Sequence, residues 1–315
     1  MENPELELCQ KQGLLQPKKK TKKQQRFRQT LAGYLFIAPN FLGFFVFALA
    51  PIIATIALSF SDWDLVNPLK WVGWLNYKNI FASPSSWDSL KQTILFTVLN
   101  VPIQCFIALG IALILNQKLK GLNLFRTLFL LPWVCMPIAH ALVWQWIYNY
   151  SFGILNHIIT SFGFQGVRWL NNPTVAFFAV MFVNIWSYLG MHIVLLLAAL
   201  QNVPGELYEA ALVDGASAWV RFWKITFPMI SPVFFYDVVI NMIGTLQIFD
   251  LPFALTNGGP GNVNLYFNLL LYRKAFSYFQ MGEACAMGVI LFVLIALLTF
   301  ITFKYIGSRV NYDQV

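Results

Sequence analysis

Gln201-Asn-Val-Pro-Gly-Glu-Leu-Tyr-Glu-Ala-Ala-Leu-Val-Asp-Gly-Ala-Ser-Ala-Trp-Val-Arg-Phe-Trp-Lys-Ile-Thr-Phe-Pro228 is the stretch on which the reading of this chain turns. It encodes two short helices. Pro204 opens the first, because a proline in the first turn sacrifices no intrahelical hydrogen bond. Glu206 and Glu209 suit the positive end of its dipole. Leu207, Ala210 and Ala211 share one side at helical spacing. Gly215 ends the helix in a left-handed turn. Ser217 caps the second helix, which carries Trp219, Phe222, Trp223 and Ile225 and is expected to stop at Pro228. A charged helix–turn–helix of this kind is suited to a socket on another protein, and equally to a re-entrant connector at the membrane interface.

On either side the chain is strongly apolar. Only 11% of the 315 residues are charged and 58% are hydrophobic, with a mean hydropathy of +0.62. Ordinary soluble domains carry roughly 25% charged residues. Six segments reach the roughly 20 apolar residues that a membrane helix needs. They lie within 31–60, 92–116, 127–148, 175–200, 233–253 and 284–303. Helices are the expected element, since hydrocarbon leaves backbone groups no other partner. No alternating pattern suggests a barrel. The expected fold is therefore all-α: a polytopic membrane protein with six transmembrane helices and a short helix in the loop between the fourth and fifth. Prolines 39, 51, 102, 132 and 137 mark bends.

Lys11, Lys18, Lys19, Lys20, Lys22, Lys23, Arg26 and Arg28 precede the first span. Beside a membrane segment this run reads as an orienting cytoplasmic tail and not as a nucleic-acid site. With both termini inside, fifteen Lys and Arg residues fall on the cytoplasmic side and six outside. Residues 1–29 are expected to be a basic tail without fixed structure. Residues 30–310 then form the transmembrane domain, with the loop 201–228 in the cytoplasm. Cys9, Cys105, Cys135 and Cys285 form no CxxC pair and read as small hydrophobes.

Glu209-Ala210-Ala211, Asp214-Gly215-Ala216, Ile225 and Pro228 resemble the EAA motif of binding-protein-dependent ABC importer permeases. Gly215 stands six residues after Glu209, and Ile225 ten after Gly215. One position departs from the pattern, with Phe227 in place of the usual leucine before Pro228. The resemblance is to the carbohydrate-uptake branch, of the maltose and glycerol-phosphate type. It is supported by Trp71-Val-Gly-Trp-Leu-Asn-Tyr77, Phe152-Gly-Ile-Leu-Asn156 and Thr256-Asn-Gly-Gly-Pro260. It implies that Glu209, Ala210, Ala211, Asp214, Gly215, Ile225 and Pro228 couple the chain to an ATPase. It also implies a second permease subunit, two ATP-binding subunits, an extracytoplasmic solute-binding protein and a bilayer. The chain has no Gly-x-x-x-x-Gly-Lys-Ser/Thr loop. No cofactor or metal is expected on it: ATP and Mg belong to the partner, and the chain is not itself an enzyme.

Polar residues within spans mark solute sites. Asn184, Trp186 and Tyr188 lie on the fourth span, and Asn241, Thr245 and Gln247 on the fifth. Asn241, Gly244, Thr245 and Ile248 share one helix face. Against the family pattern, Asn184 and the fifth-span face match sugar-contacting positions, although the fifth-span residue types differ. Asn184, Tyr188, Asn241, Thr245 and Gln247 are the expected solute contacts. Asp237 reads as a structural ion pair or gate contact, His140 and His192 as packing residues, and Asp250 as lining the outer mouth. The rival readings are an ABC permease for a non-sugar solute and an ion-coupled secondary transporter. The second should carry acids in several spans.

Overall fold

The computed structural model describes residues 22–117, 121–305 and 307. They divide between Ala54 and Thr55 into two compact units. The first unit is helical. α1 (Lys22–Phe44) runs through a π-turn at Phe45–Leu49 into α2 (Ala50–Leu58). The basic segment was expected to lack structure as far as residue 29, yet α1 starts at Lys22. Lys, Gln and Arg are good helix formers, so they extend the span beyond its apolar part. The rest of the expected tail, with Cys9, lies outside the described residues, as do residues 118–120 of the second connection.

The second unit takes in the last turn of α2 from Thr55 and continues with a minimal hairpin, β1 (Ser61–Asp62) antiparallel to β2 (Lys70–Trp71), followed by α3 (Leu75–Ala82). Asn76 secures this end, donating through Nδ2 to the carbonyls of Ser59 at 2.9 Å and Ser61 at 2.8 Å. The second span is α4 (Pro84–Leu115), which begins about two turns before its apolar core. The third is not one helix. α5 (Leu122–Val134) and α6 (Pro137–Ile147) meet at a bend of 99°. Pro137 holds Met136 in extended backbone and lacks the N–H that would continue α5. α7 (Ile154–Ser161) follows, then the fourth span, α8 (Pro173–Gln201), capped by Asn172.

The next two helices are α9 (Gly205–Val213) and α10 (Ala218–Arg221). The second helix does not stop at Pro228 as expected. A π-turn at Phe222–Thr226 carries α10 straight into α11 (Phe227–Leu246), giving a continuous helix of 29 residues. Pro228 lies inside this continuous helix, directly after the π-turn, and has no N–H to donate back to the preceding turn. The fifth span then breaks at Gln247–Phe249, earlier than expected, before α12 (Asp250–Thr256). Two interactions hold the break. Asn268 Nδ2 donates to the Gln247 carbonyl at 2.8 Å. The Phe249 ring packs on Phe253 and Tyr272, with centroids 5.3 and 4.9 Å away. α13 (Phe267–Tyr272) and the sixth span, α14 (Met281–Tyr305), complete the chain. Among the described residues, five helices are long and apolar enough to cross a membrane, and the bent α5–α6 pair makes a sixth.

Packing within the second unit centres on α8. Ile193, Leu196, Leu197 and Leu200 bury against Ala108, Ala112 and Leu115 of α4 and Ile230 of α11. Toward the other end, Phe177 and Val180 of α8 pack with Phe96, Tyr148 and Tyr266. α5 approaches α8 so closely at Gly190 that a Cβ there would overlap the Phe129 carbonyl. The outward surfaces remain apolar: Val98, Phe106, Phe292 and Val293 are well exposed. Only an apolar solvent makes such a surface stable.

Candidate functional site

A cavity of about 260 Å³ opens between α8, the lower part of α11 and the break that precedes α12. Asn184, Tyr188, Asn241, Thr245 and Gln247 all line it. The structure therefore brings all five expected solute contacts to one place. Gly244 and Ile248 line it as well, so the expected face of the fifth helix is the cavity wall. Trp133 and Tyr188 add aromatic surface. The volume is at the small end of the roughly 300–1,000 Å³ typical of ligand pockets.

The polar groups differ in what they have left to offer. Thr245 Oγ1 donates to the Asn241 carbonyl at 2.7 Å and lies 3.1 Å from Asn241 Oδ1. Asn241 Nδ2 contacts Cys105 Sγ at 3.6 Å. These two residues partly satisfy each other. Asn184 is 95% buried, and its amide takes no protein partner among the described residues. Gln247 is exposed at the break, and Tyr188 is half-buried.

One sequence expectation, that for His192, needs correction. Trp186 turns away from the cavity and packs edge-on against His140 and Trp144, at 5.4 Å from each. This contact accounts for His140 as a packing residue. His192 is more than a packing residue: its Nδ1 lies 2.6 Å from Asp237 Oδ1, and the ring lines the cavity. Asp237 is thus the ion-pair residue expected of it, and its partner is on the fourth span. The signal for that partner was available, because a buried acid on α11 needs a basic or donor group and α8 carries a single histidine.

The loop between the fourth and fifth spans forms the second candidate region. α9 ends in a left-handed turn: Gly215 has φ +72°, and Ala216 N donates to the Ala211 carbonyl at 2.9 Å. Ser217 Oγ accepts from Val220 N at 3.4 Å, capping α10. Tyr208 and Thr226 hydroxyls, 2.9 Å apart, tie the two helices together. Glu209, Ala210, Asp214 and Gly215 are exposed, while Ala211, Ile225 and Pro228 are half-buried. Leu212, Val213, Trp219 and Trp223 are exposed on the same element. Its apolar surface is left uncovered by the described residues.

The third family-like stretch has a structural role. Asn156 donates through Nδ2 to the carbonyls of Tyr150 and Val167, and its Oδ1 accepts from Val167 N and Trp169 Nε1, all within 3.1 Å. It closes the loop between α6 and α8.

A bundle of bent apolar helices around a cavity that carries a few amides and hydroxyls on apolar walls, with an exposed helical pair on one loop, is the arrangement of a membrane transport subunit. Residues 71–312 match the family of the binding-protein-dependent transport system inner membrane component, and the chain belongs to that family. It is 37% identical over 292 residues to the probable ABC transporter permease protein YesP of Bacillus subtilis strain 168, covering 91% of this chain and 94% of that one. It is 35% identical over 283 residues to the trehalose/maltose transport system permease protein MalF of Thermococcus litoralis, covering 89% and 95%. In fold it is similar to a chain of a bacterial ABC transporter that imports the acidic polysaccharide alginate, with a TM-score of 0.80 at 21% identity, covering 90% of this chain and 98% of that one. The chain is a multi-pass permease component of the inner membrane.

Proposed function

We propose that this chain is one half of the translocation pore of an ATP-driven importer for a sugar or sugar-like solute. The observation that carries the reading is the convergence of Asn184, Tyr188, Asn241, Thr245 and Gln247 on one cavity inside the bundle. Amides and hydroxyls beside aromatic faces are the groups that recognise a polyhydroxylated solute. The similarity to a trehalose/maltose permease supports the same class.

In this reading the α9–α10 element is cytoplasmic, as are both termini. Its exposed apolar residues and the EAA positions Glu209, Ala210, Ala211, Asp214 and Gly215 seat in an ATPase subunit, with Ile225 and Pro228 anchoring the element to α11. Two such ATPases bind ATP and Mg, and hydrolysis is theirs. A second permease completes the pore, and an extracytoplasmic solute-binding protein delivers the solute. ATP-driven closure of the ATPases pushes α9, and the continuous α10–α11 helix transmits that motion to the cavity wall at Asn241 and Thr245.

The test is ATP-dependent uptake by the complete complex in proteoliposomes, comparing wild type with Gly215→Asp. The left-handed φ of Gly215 strains any residue with a Cβ by about 1–2 kcal/mol, and the added carboxylate lies on the exposed docking face. The reading expects uptake and ATPase stimulation to fall at least tenfold in the variant. Undiminished, coupled uptake would remove the coupling role from this loop.

A further inference from the structure

The cavity has a charge character that the sugar reading does not contain. Among the described residues, the titratable side chains on its wall are Asp250, Tyr188 and His192, and neither lysine nor arginine lines it. Asp250 is exposed at the start of α12 and lines the same cavity as Tyr188 of α8. His192 is bonded to Asp237 at 2.6 Å. With one proton shared between them the pair bears a net charge of minus one, and with two it is neutral. It is not cationic in either state. The cations near α12 are occupied elsewhere: Arg273 bonds the carbonyl and side chain of Asn257, and Lys274 pairs with Glu283 at 3.0 Å.

An anionic solute in this cavity therefore meets a fixed like charge and finds no counter-charge among the described residues of this chain. The apolar walls make that repulsion stronger than it would be in water. A neutral sugar finds acceptors for its hydroxyls in the Asp250 carboxylate and the amides of Asn184 and Gln247. Hydrogen bonds to a carboxylate are the stronger kind. The fold itself does not decide the matter, since a neighbour of the same fold imports an acidic polysaccharide. The side chains must decide it.

We propose that this cavity discriminates by charge: it admits uncharged and amino sugars and rejects sugars bearing carboxylate, sulfonate or phosphate, with Asp250 as the discriminating residue. The proposal rests on the sugar reading of the same cavity. The test uses the complex of both permeases and ATPases in nanodiscs, without the solute-binding protein, so that the cavity's own preference is read. Calorimetric titration compares maltotriose, a glucosamine trimer, lactose, lactobionate and trigalacturonate. The expected result is that at least one neutral or amino sugar binds at least tenfold more tightly than lactobionate or trigalacturonate. Asp250→Asn should narrow that gap by at least threefold while leaving the melting temperature of the complex unchanged. Equal binding of an anionic sugar, or a gap indifferent to Asp250→Asn, overturns the proposal and leaves the sugar reading standing. If none of the five binds, the sugar reading falls and the charge rule falls with it.

Discussion

Replacing His192 by Ala takes the 2.6 Å partner from Asp237 Oδ1, while Oδ2 already lacks a partner among the described residues. The side chains of His192 and Asp237 are 6% and 1% exposed. Two magnitudes compete. A plain hydrogen bond between membrane helices averages about 0.6 kcal/mol, whereas breaking a buried ion pair by deleting one partner costs about 3–5 kcal/mol. The burial places this pair in the second regime, and His192→Ala should cost about 3 kcal/mol. Asp237→Asn keeps an acceptor opposite Nδ1 and removes the charge, so its cost should be nearer 1 kcal/mol. Replacing both residues with leucine removes the unpaired charge and is expected to be neutral or stabilising by about 1–4 kcal/mol. The interaction between the two sites should therefore exceed about 2 kcal/mol in a cycle of His192→Leu, Asp237→Leu and the double variant. Denaturation in mixed micelles, followed by tryptophan fluorescence, measures all of these. Additive effects, or a double variant less stable than both singles, would refute the buried-pair argument.

Gly190→Ala should destabilise the chain. The new Cβ lies 2.7 Å from the Phe129 carbonyl carbon and 3.0 Å from Leu130 Cα, and overpacking of about 1–3 kcal/mol exceeds the roughly 0.8–1.0 kcal/mol gained in helix propensity; a lowered melting temperature checks it, and an unchanged one would show that α5 can yield. Thr93→Val takes the 2.8 Å acceptor from the buried N–H of Phe267, which should cost about 1–3 kcal/mol and increase hydrogen exchange at that amide.

The parts legible in the sequence were those set by local chemistry. Pro204, Gly215 and Ser217 each act within a turn of their own position, so the two helices between the fourth and fifth spans could be read directly. The spans were legible because hydropathy accumulates over 20 residues, but the same averaging concealed their breaks. The bend at Pro137 and the break at Gln247–Phe249 fall inside apolar runs, and the second is held by Asn268 and Tyr272 from later in the chain. Pro228 misled for a related reason: a proline reads in sequence as a helix end, whereas the π-turn at Phe222–Thr226 carries the helix through it. At the cavity, residue type and helical phase were enough to select Asn184, Asn241 and Thr245. They were not enough for His192, whose partner Asp237 is 45 residues away and is brought close only by the packing of α8 on α11.

The central claim is that solute passes through the cavity between α8 and α11 under the control of a partner ATPase. Initial rates of ATP-dependent uptake by the reconstituted complex test it most directly, comparing wild type with Asn184→Ala/Asn241→Ala while co-purification of the ATPase reports assembly. The account predicts at least a tenfold loss of uptake efficiency with assembly intact. Wild-type uptake by the double variant would contradict it.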